Sequence, residues 1–306
     1  MELVYHYTSP DGLYAILKSG NLRFTDCRFL NDTHEYVHIN EPLELAMKQV
    51  KDQLKHPEIL CGLLEAIAEA EKKHPAKHYV FCTSLSPDSL SMWNYYNRGT
   101  SYQGYNIGFH RDQVFPRLIP QAALPYVHIG NIDSKGVRYS REPVLYSVGE
   151  QAAKIAEYIL KTDAEFLASA FSSTTPDWDE VTFAKIRLVD EIQRKRLFYK
   201  HPAFSDECEY RYVISFADDF PRVKMENLTE AELTKEAINI THGFFVRNGI
   251  VIPYIELPVR KEAIRAITIA PMLEAAIAEM GLMRFLEINE YPENISIQTS
   301  NVPIRV

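Results

Sequence analysis

Short stretches of strand-like alternation recur along this 306-residue chain, separated by helical stretches of unequal length, and that uneven spacing most narrows what it can fold into. A regular strand–helix–strand plan needs crossovers of similar length, so the pattern predicts an α+β fold rather than a doubly wound one. In the first stretch, LVYHYT at 3–8, Val4, His6 and Thr8 share one face and Leu3, Tyr5 and Tyr7 the other. Ser9-Pro10-Asp11 then opens a helix with Ser9 as cap and Pro10 at the first helical position. Leu13, Ile16 and Leu17 form its apolar stripe, and Gly20 ends it. Leu22 to Phe24 resumes as a strand, and RFLNDTHE at 28–35 reads as an exposed turn.

The same reasoning places further strands at 79–85, 105–109, 207–216, 244–252, 264–269 and 294–299. Helices are expected at 149–171, 178–199 and 271–287, in the short stretch DSLSMWNYY, and as two helices within 41–73 broken at His56-Pro57. With no repeat and no linker, the chain reads as one elaborated domain over 1–306, with helical insertions near 41–73 and 149–199. GxGxxG and GxxxxGK[ST] are both missing from the sequence, which removes the two commonest phosphate-cradling loops.

Charge bears on partners. Lys plus Arg number 33 and Asp plus Glu 41, a formal net charge of −8. A domain holding nucleic acid by phosphate neutralisation usually leans the other way, so nucleic acid is possible as a partner but not favoured. Cys27, Cys61, Cys82 and Cys208 are widely spaced, which suits reduced thiols rather than a disulfide framework or a zinc site. The opening MELVYHYTSP has no basic leader followed by an apolar core, and no apolar run approaches the roughly 18 residues of a membrane span. A cytoplasmic location and no membrane partner are expected.

Three segments gather chemistry-bearing side chains. In Glu207-Cys208-Glu209-Tyr210-Arg211-Tyr212-Val213-Ile214, period-two alternation puts Glu207, Glu209 and Arg211 on one face and Cys208, Tyr210, Tyr212 and Ile214 on the other. A solvent-facing strand has the same look, and same-face Glu–Arg pairing is worth little at a surface. The second segment is Tyr5-His6-Tyr7-Thr8-Ser9, where a histidine among hydroxyls suits either a sugar grip or plain packing. The third runs from Phe81-Cys82-Thr83-Ser84-Leu85 into Ser91-Met92-Trp93-Asn94-Tyr95-Tyr96, with Trp93 and Tyr96 at i, i+3 on one helix face. Three other features carry weaker signals. His74 and His78 have metal-ligand spacing, but Pro75 interrupts the helix and no carboxylate completes the set. Asn31-Asp32 with Glu35 is explained by turn chemistry. Gln193 to His201 is basic with adjacent aromatics, compatible with single-stranded nucleic acid but equally with the last turn of a helix complementing its dipole.

Taken together, HYTS at 6–9, LND at 30–32 with Glu35, MWNYY at 92–96, GF at 108–109, EYR at 209–211 and SNVPIR at 300–305 resemble the bacterial domain of unknown function 2971 family, nearly end to end. A more distant likeness is to the ADP-ribosyltransferase superfamily. His6-Tyr7-Thr8 with Ile16-Leu17-Lys18-Ser19-Gly20-Asn21-Leu22-Arg23 is similar to its first motif. Phe81 to Tyr96 is similar to its second, and Glu209-Tyr210-Arg211-Tyr212-Val213, with Glu207 completing E-x-E, to its third. Tyr7 departs from the glycine usual after the histidine, and the helical stretches are large for that core.

The resemblance implies a split antiparallel sheet elaborated by helical insertions, and transfer or hydrolysis of ADP-ribose from NAD without a metal. It assigns Glu209 to stabilising the ribosyl cation and Glu207 to orienting the acceptor, whether protein, nucleic acid or small molecule. It also implies that His6, Tyr7, Thr8, Arg23, Ser84, Trp93, Tyr96 and Arg211 line the dinucleotide site, and it suggests a toxin or antiphage effector. All of this requires His6 and Glu209 to face one cleft. Rival expectations are a non-catalytic nucleotide-binding sensor, and a metal-dependent nuclease using Glu207, Glu209, Asp32 and Glu35.

Overall fold

The computed structural model describes residues 2–30, 38–73, 77–97, 99, 102–115, 137–171, 177–216 and 241–304. Asn31, Asp32, Glu35, His74 and Arg305 lie outside them. The chain divides into two compact units, one of residues 1–29, 77–143 and 206–306, the other of residues 30–76 and 144–205.

The first unit carries all ten described strands: β1 (Leu3–Thr8), β2 (Asn21–Asp26), β3 (Lys77–Ser84), β4 (Tyr105–His110), β5 (Val137–Pro143), β6 (Glu209–Phe216), β7 (Thr241–Arg247), β8 (Ile250–Pro258), β9 (Ile264–Ile269) and β10 (Ser296–Thr299). Every pairing is antiparallel except β10 on β9. The α+β expectation therefore holds, with a mostly antiparallel sheet.

Strand β3 organises this sheet. One of its edges pairs with β6 along its whole length, from Lys77↔Phe216 to Ser84↔Glu209. The other edge is shared. Thr25↔Val80 and Asp26↔Tyr79 join it to β2, while a single pair, Tyr5↔Ser84, joins it to β1. Between those contacts the sheet opens, so β1–β4–β9–β10 diverges from β2–β8–β7.

Register fixes which side chains share a face, because directly opposed residues project the same way. Tyr5, Ser84 and Glu209 form one such row, and Cys82, Arg211 and Glu142 the next. The other face carries Tyr79, Phe81, Tyr212 and Ile214, which enter the apolar core with Val4, Phe24, Ile107 and Phe109. Two helices of this unit, α1 (Pro10–Ser19) and α8 (Ala275–Ile288), add Leu13, Leu17, Leu282 and Leu286 to that core. α1 begins and ends as its sequence dictates. Ser9 Oγ accepts from the Gly12 amide at 3.1 Å, and Gly20, at φ 67°, donates its amide to the Ile16 carbonyl.

The second unit is helical: α2 (Asn40–Val50), α3 (Leu63–Lys73), α5 (Val148–Thr162), the short α6 (Ala168–Ala170) and α7 (Trp178–Lys195). Leu43, Ile59, Leu63, Ile155, Ile159 and Ile192 make its core, and both helical stretches read from sequence as insertions lie within it. The expected helix 149–171 is interrupted by wider π-type turns over Asp163–Leu167. There the buried Asp163 carboxylate accepts from the amides of Lys55 and His56 at 3.0 and 2.9 Å, tying down the chain ahead of Pro57.

Three departures from the sequence reading bear on the sheet and the site. The stretch 244–252 is a hairpin: Asn248 and Gly249, at φ 51° and 77°, turn β7 into β8. Asn-Gly is the strongest short-range hairpin signal, and the apolar runs on either side of it, FFV at 244–246 and IVI at 250–252, are the two strands that it joins. Strand β5 was not anticipated. The strand expected from 207 begins at Glu209, because Pro202–Glu207 is a 3-10 turn and Cys208 has φ 44°.

Candidate functional site

The polar face of β3 and β6 in the first unit concentrates buried charge. Glu209 and Arg211 are 3% and 1% exposed, and they form an ion pair in which Nη2 and Nε of Arg211 donate to Glu209 Oε2 at 2.8 and 3.2 Å. Such burial costs several kcal/mol per ion unless charge and hydrogen bonds compensate it. Ser84, opposite Glu209, donates its hydroxyl to the Glu207 carbonyl at 2.7 Å and accepts from the Ser86 amide at 3.0 Å. The amide of Leu85 donates to the Cys208 carbonyl at 2.7 Å. Ser84 thus anchors the chain that delivers both glutamates.

Above this face runs α4 (Leu90–Asn97), which brings Tyr96 to the cluster. Burial of its phenol end pushes the Tyr96 pKa well above the ordinary tyrosine value. The negative charge of Glu209 adds to that, followed by Cys82 and Glu207, while Arg211 opposes it. The residue as a whole is 39% exposed although its phenol end is enclosed. Glu207 is buried at 7%, so both candidate carboxylates and Tyr96 belong to one electrostatic group.

The histidine is elsewhere. His6 follows Tyr5, the residue that shares a face with Ser84 and Glu209, so its side chain projects to the opposite face. There its ring lies 4.8 Å from that of Phe81, and Nδ1 donates to the Cys82 carbonyl at 3.2 Å. That bond stands where the ladder between β1 and β3 gives out. Burial lowers the His6 pKa to about 4, with the Cys82 hydrogen bond opposing the shift. His6 is therefore a neutral wedge in the split sheet. The expectation that His6 and Glu209 confront one another across a cleft is not met, because β3 itself stands between them.

Tyr7 and Trp93 are also framework. Tyr7, 2% exposed, donates its hydroxyl to the Ser86 carbonyl at 2.9 Å and accepts from the Ser89 amide at 3.0 Å. Its ring meets that of Trp93 edge-on at 4.7 Å. Trp93 is wholly buried and donates Nε1–H to Asp88 at 2.7 Å, so it offers no face for stacking a ligand. Asp88 also accepts from the Ser300 hydroxyl and the Asn301 amide, which accounts for the SN of the SNVPIR motif. Thr8 closes against Gly12 in the first turn of α1. Arg23 lies on the Glu209 face by register, but it pairs with Glu256 at 2.9 Å and covers the Tyr254 ring at 4.5 Å.

Of the predicted residues, the structure thus gathers Glu207, Glu209, Arg211, Ser84 and Tyr96 on one face, and assigns His6, Tyr7, Thr8 and Trp93 to the frame. Sequence reasoning passed over Glu142, which faces Arg211 from β5. It belongs to a stretch, Val137–Pro143, with no clean apolar alternation to mark it as a strand.

Elsewhere, the basic stretch Gln193–His201 is no open cationic stripe. Arg196 and Lys200 are buried, Phe198 and Tyr199 are 2% and 3% exposed, and Arg194 pairs with Glu191 of its own helix. His78 is buried, with Nδ1 2.7 Å from Ser215 Oγ. Among the described residues no group of three or more His, Cys, Asp or Glu is placed to hold a metal ion. No described helix is long and apolar enough to cross a membrane.

The described chain is thus an α+β protein with a carboxylate-bearing face on the central strands of a divided sheet. Its residues 92–212 match the model of a family described as "Protein of unknown function (DUF2971)". That match spans Trp93, Tyr96, Glu207, Glu209 and Arg211 and supports the family likeness for MWNYY, GF and EYR, while HYTS, LND and SNVPIR lie outside the matched residues. No curated protein and no solved structure matches.

Proposed function

We propose that the Glu207–Glu209 face acts on a nicotinamide dinucleotide, releasing nicotinamide and passing ADP-ribose to an acceptor or to water. The observation that carries this reading is the placement of Glu209. It opens β6, stands opposite Ser84, is oriented by Arg211 and lies under Tyr96. The resemblance of Phe81 to Tyr96 and of Glu207 to Val213 to the second and third motifs of ADP-ribosyltransferases supports the same reading.

In the chemistry proposed, the nicotinamide–ribose bond breaks with its electron pair leaving on nicotinamide, and positive charge develops on the ribose. A preorganised carboxylate is the natural stabiliser of such an oxocarbenium-like ion. Glu209, already immobilised by Arg211, supplies it with little reorganisation. Glu207 takes the proton of the incoming acceptor hydroxyl, amine or water. Tyr96, a partly exposed residue beside the carboxylates, offers an aromatic side chain to the nicotinamide or adenine ring. His6 lies on the other face of the sheet, so this version gives up the cleft between His6 and Glu209 and rests on Glu207, Glu209, Arg211 and Tyr96; His6, Tyr7 and Trp93 have no direct role in it.

One observation favours a second reading, non-catalytic nucleotide binding: Glu209 is 3% exposed and its carboxylate is engaged by Arg211. Incubating the protein with NAD and assaying free nicotinamide, with Glu209→Gln as control, separates the two. Turnover lost in the variant supports the enzyme. Thermal stabilisation by NAD without nicotinamide release supports the binder. Stabilisation by magnesium or manganese alone overturns both.

A further inference from the structure

Cys208 stands between the two carboxylates with φ 44°, in the left-handed region that L side chains rarely adopt. It is neither glycine nor asparagine, so residue type does nothing to favour that conformation there. The chain is pinned on both sides of it. Ser84 holds the Glu207 carbonyl, Leu85 holds the Cys208 carbonyl, and Glu209 enters the ladder opposite Ser84. In an unbroken strand Glu207 would sit two residues beyond Glu209 along the strand axis, roughly 6.5 Å farther out. Instead a 3-10 turn closes on Glu207, Cys208 takes the left-handed conformation, and Glu207 is buried at 7%. Strained backbone at such a place is an observation from which a role follows.

We propose that Cys208 is a positioning residue, and that its left-handed backbone rather than its thiol turns the Glu207 carboxylate onto the cluster of Glu209 and Tyr96. The inference rests on the reading of this face as a reactive site, but its test does not need turnover. The phenol of Tyr96 senses both carboxylates, so it reports whether Glu207 is in place.

The experiment follows Tyr96 ionisation by ring-carbon NMR of labelled tyrosine, with Tyr96→Phe assigning the signal. In the natural protein, Tyr96 should stay protonated through the range in which ordinary tyrosines ionise, near pH of about 10. Glu207→Gln removes one negative neighbour and should lower the pH at which Tyr96 ionises. Cys208→Gly tolerates positive φ and Cys208→Ala keeps a single Cβ, so both should titrate like the natural protein. Cys208→Val and Cys208→Thr, whose β-branches resist this conformation, should titrate like Glu207→Gln. A Cys208→Ala or Cys208→Gly variant with the lowered value overturns the backbone role. So does an unaltered Tyr96 in Cys208→Val. If both β-branched variants fail to fold, the alanine and glycine variants still decide. Failure to release nicotinamide, by contrast, would count against the proposed reaction and leave this result standing.

Discussion

Arg211 directs two N–H groups, Nε and Nη2, at a single oxygen of Glu209, and neither side chain has more than 3% of its surface exposed. The sequence showed this pair as two residues on one strand face, which at a surface would be worth little. Burial changes the sign of the argument, since each partner now neutralises a charge that could not otherwise stay inside. Breaking the pair costs much because it strands one charge, whereas the intact pair roughly offsets its own desolvation.

Arg211→Met should therefore destabilise the protein by about 3–5 kcal/mol, because it leaves a buried carboxylate uncompensated. Removing both charges, as Arg211→Met with Glu209→Leu, should recover most of that loss. Equilibrium urea denaturation measures both. A double variant no more stable than the single one would show that the charges are not coupled.

His6 makes stability depend on acid. Its folded pKa of about 4 lies below the ordinary 6.5, so between those values the unfolded chain binds more protons. Its contribution is fully present above pH 6.5 and is lost as pH falls towards 4. His6→Gln should be less stable than the natural protein at pH 7 and should lose less on acidification to pH 4.5, as read by urea midpoints at both values. Parallel losses in the two proteins would remove His6 as the cause.

Tyr7 clamps the turn between β3 and α4 through one hydroxyl. Tyr7→Phe should cost about 1–2 kcal/mol, since a half-buried carbonyl and a half-buried amide both lose their partner. Amide exchange at Ser89 should quicken well beyond the change in global stability, and an unchanged Ser89 would show that the turn is held by other contacts.

Gly104 has no room for a side chain. A Cβ there would come within 2.5 Å of the Asn97 amide group, and Asn97 is wholly buried at the end of α4. Gly104→Ala should lower stability by about 1–3 kcal/mol. Because α4 carries Tyr96, the substitution should also disturb the Tyr96 ring-carbon signal, while Gly249→Ala, distant in the β7–β8 turn, should leave that signal in place.

Much of the frame was legible in the sequence because it depends on local rules. Alternation sorted Val4 and His6 from Tyr5 and Tyr7 onto the faces they occupy, and Ser9, Pro10 and Gly20 bounded α1 through capping chemistry. Alternation also put Glu209 and Arg211 side by side. What alternation cannot supply is the face that a neighbouring strand adds. That His6 and Glu209 project to opposite sides follows from Tyr5↔Ser84 and Ser84↔Glu209, two pairings between segments far apart in the chain. Nor does a residue type announce its backbone when tertiary contacts override it. Cys208 is left-handed because Ser84 and Leu85 hold the carbonyls around it, and so the expected strand loses its first two residues.

The sequence by itself determined the α+β class, the ends of α1, the two-sidedness of β1 and β6, and which polar residues were available for chemistry. Only the tertiary structure decided which of them meet. It gathered Glu207, Glu209, Arg211, Ser84 and Tyr96, and it committed His6, Tyr7 and Trp93 to holding the sheet and the β3–α4 turn together. The physical reason is range. Capping and periodicity act within one or two turns of chain, whereas burial and register are set by strands that meet only after the whole unit has closed.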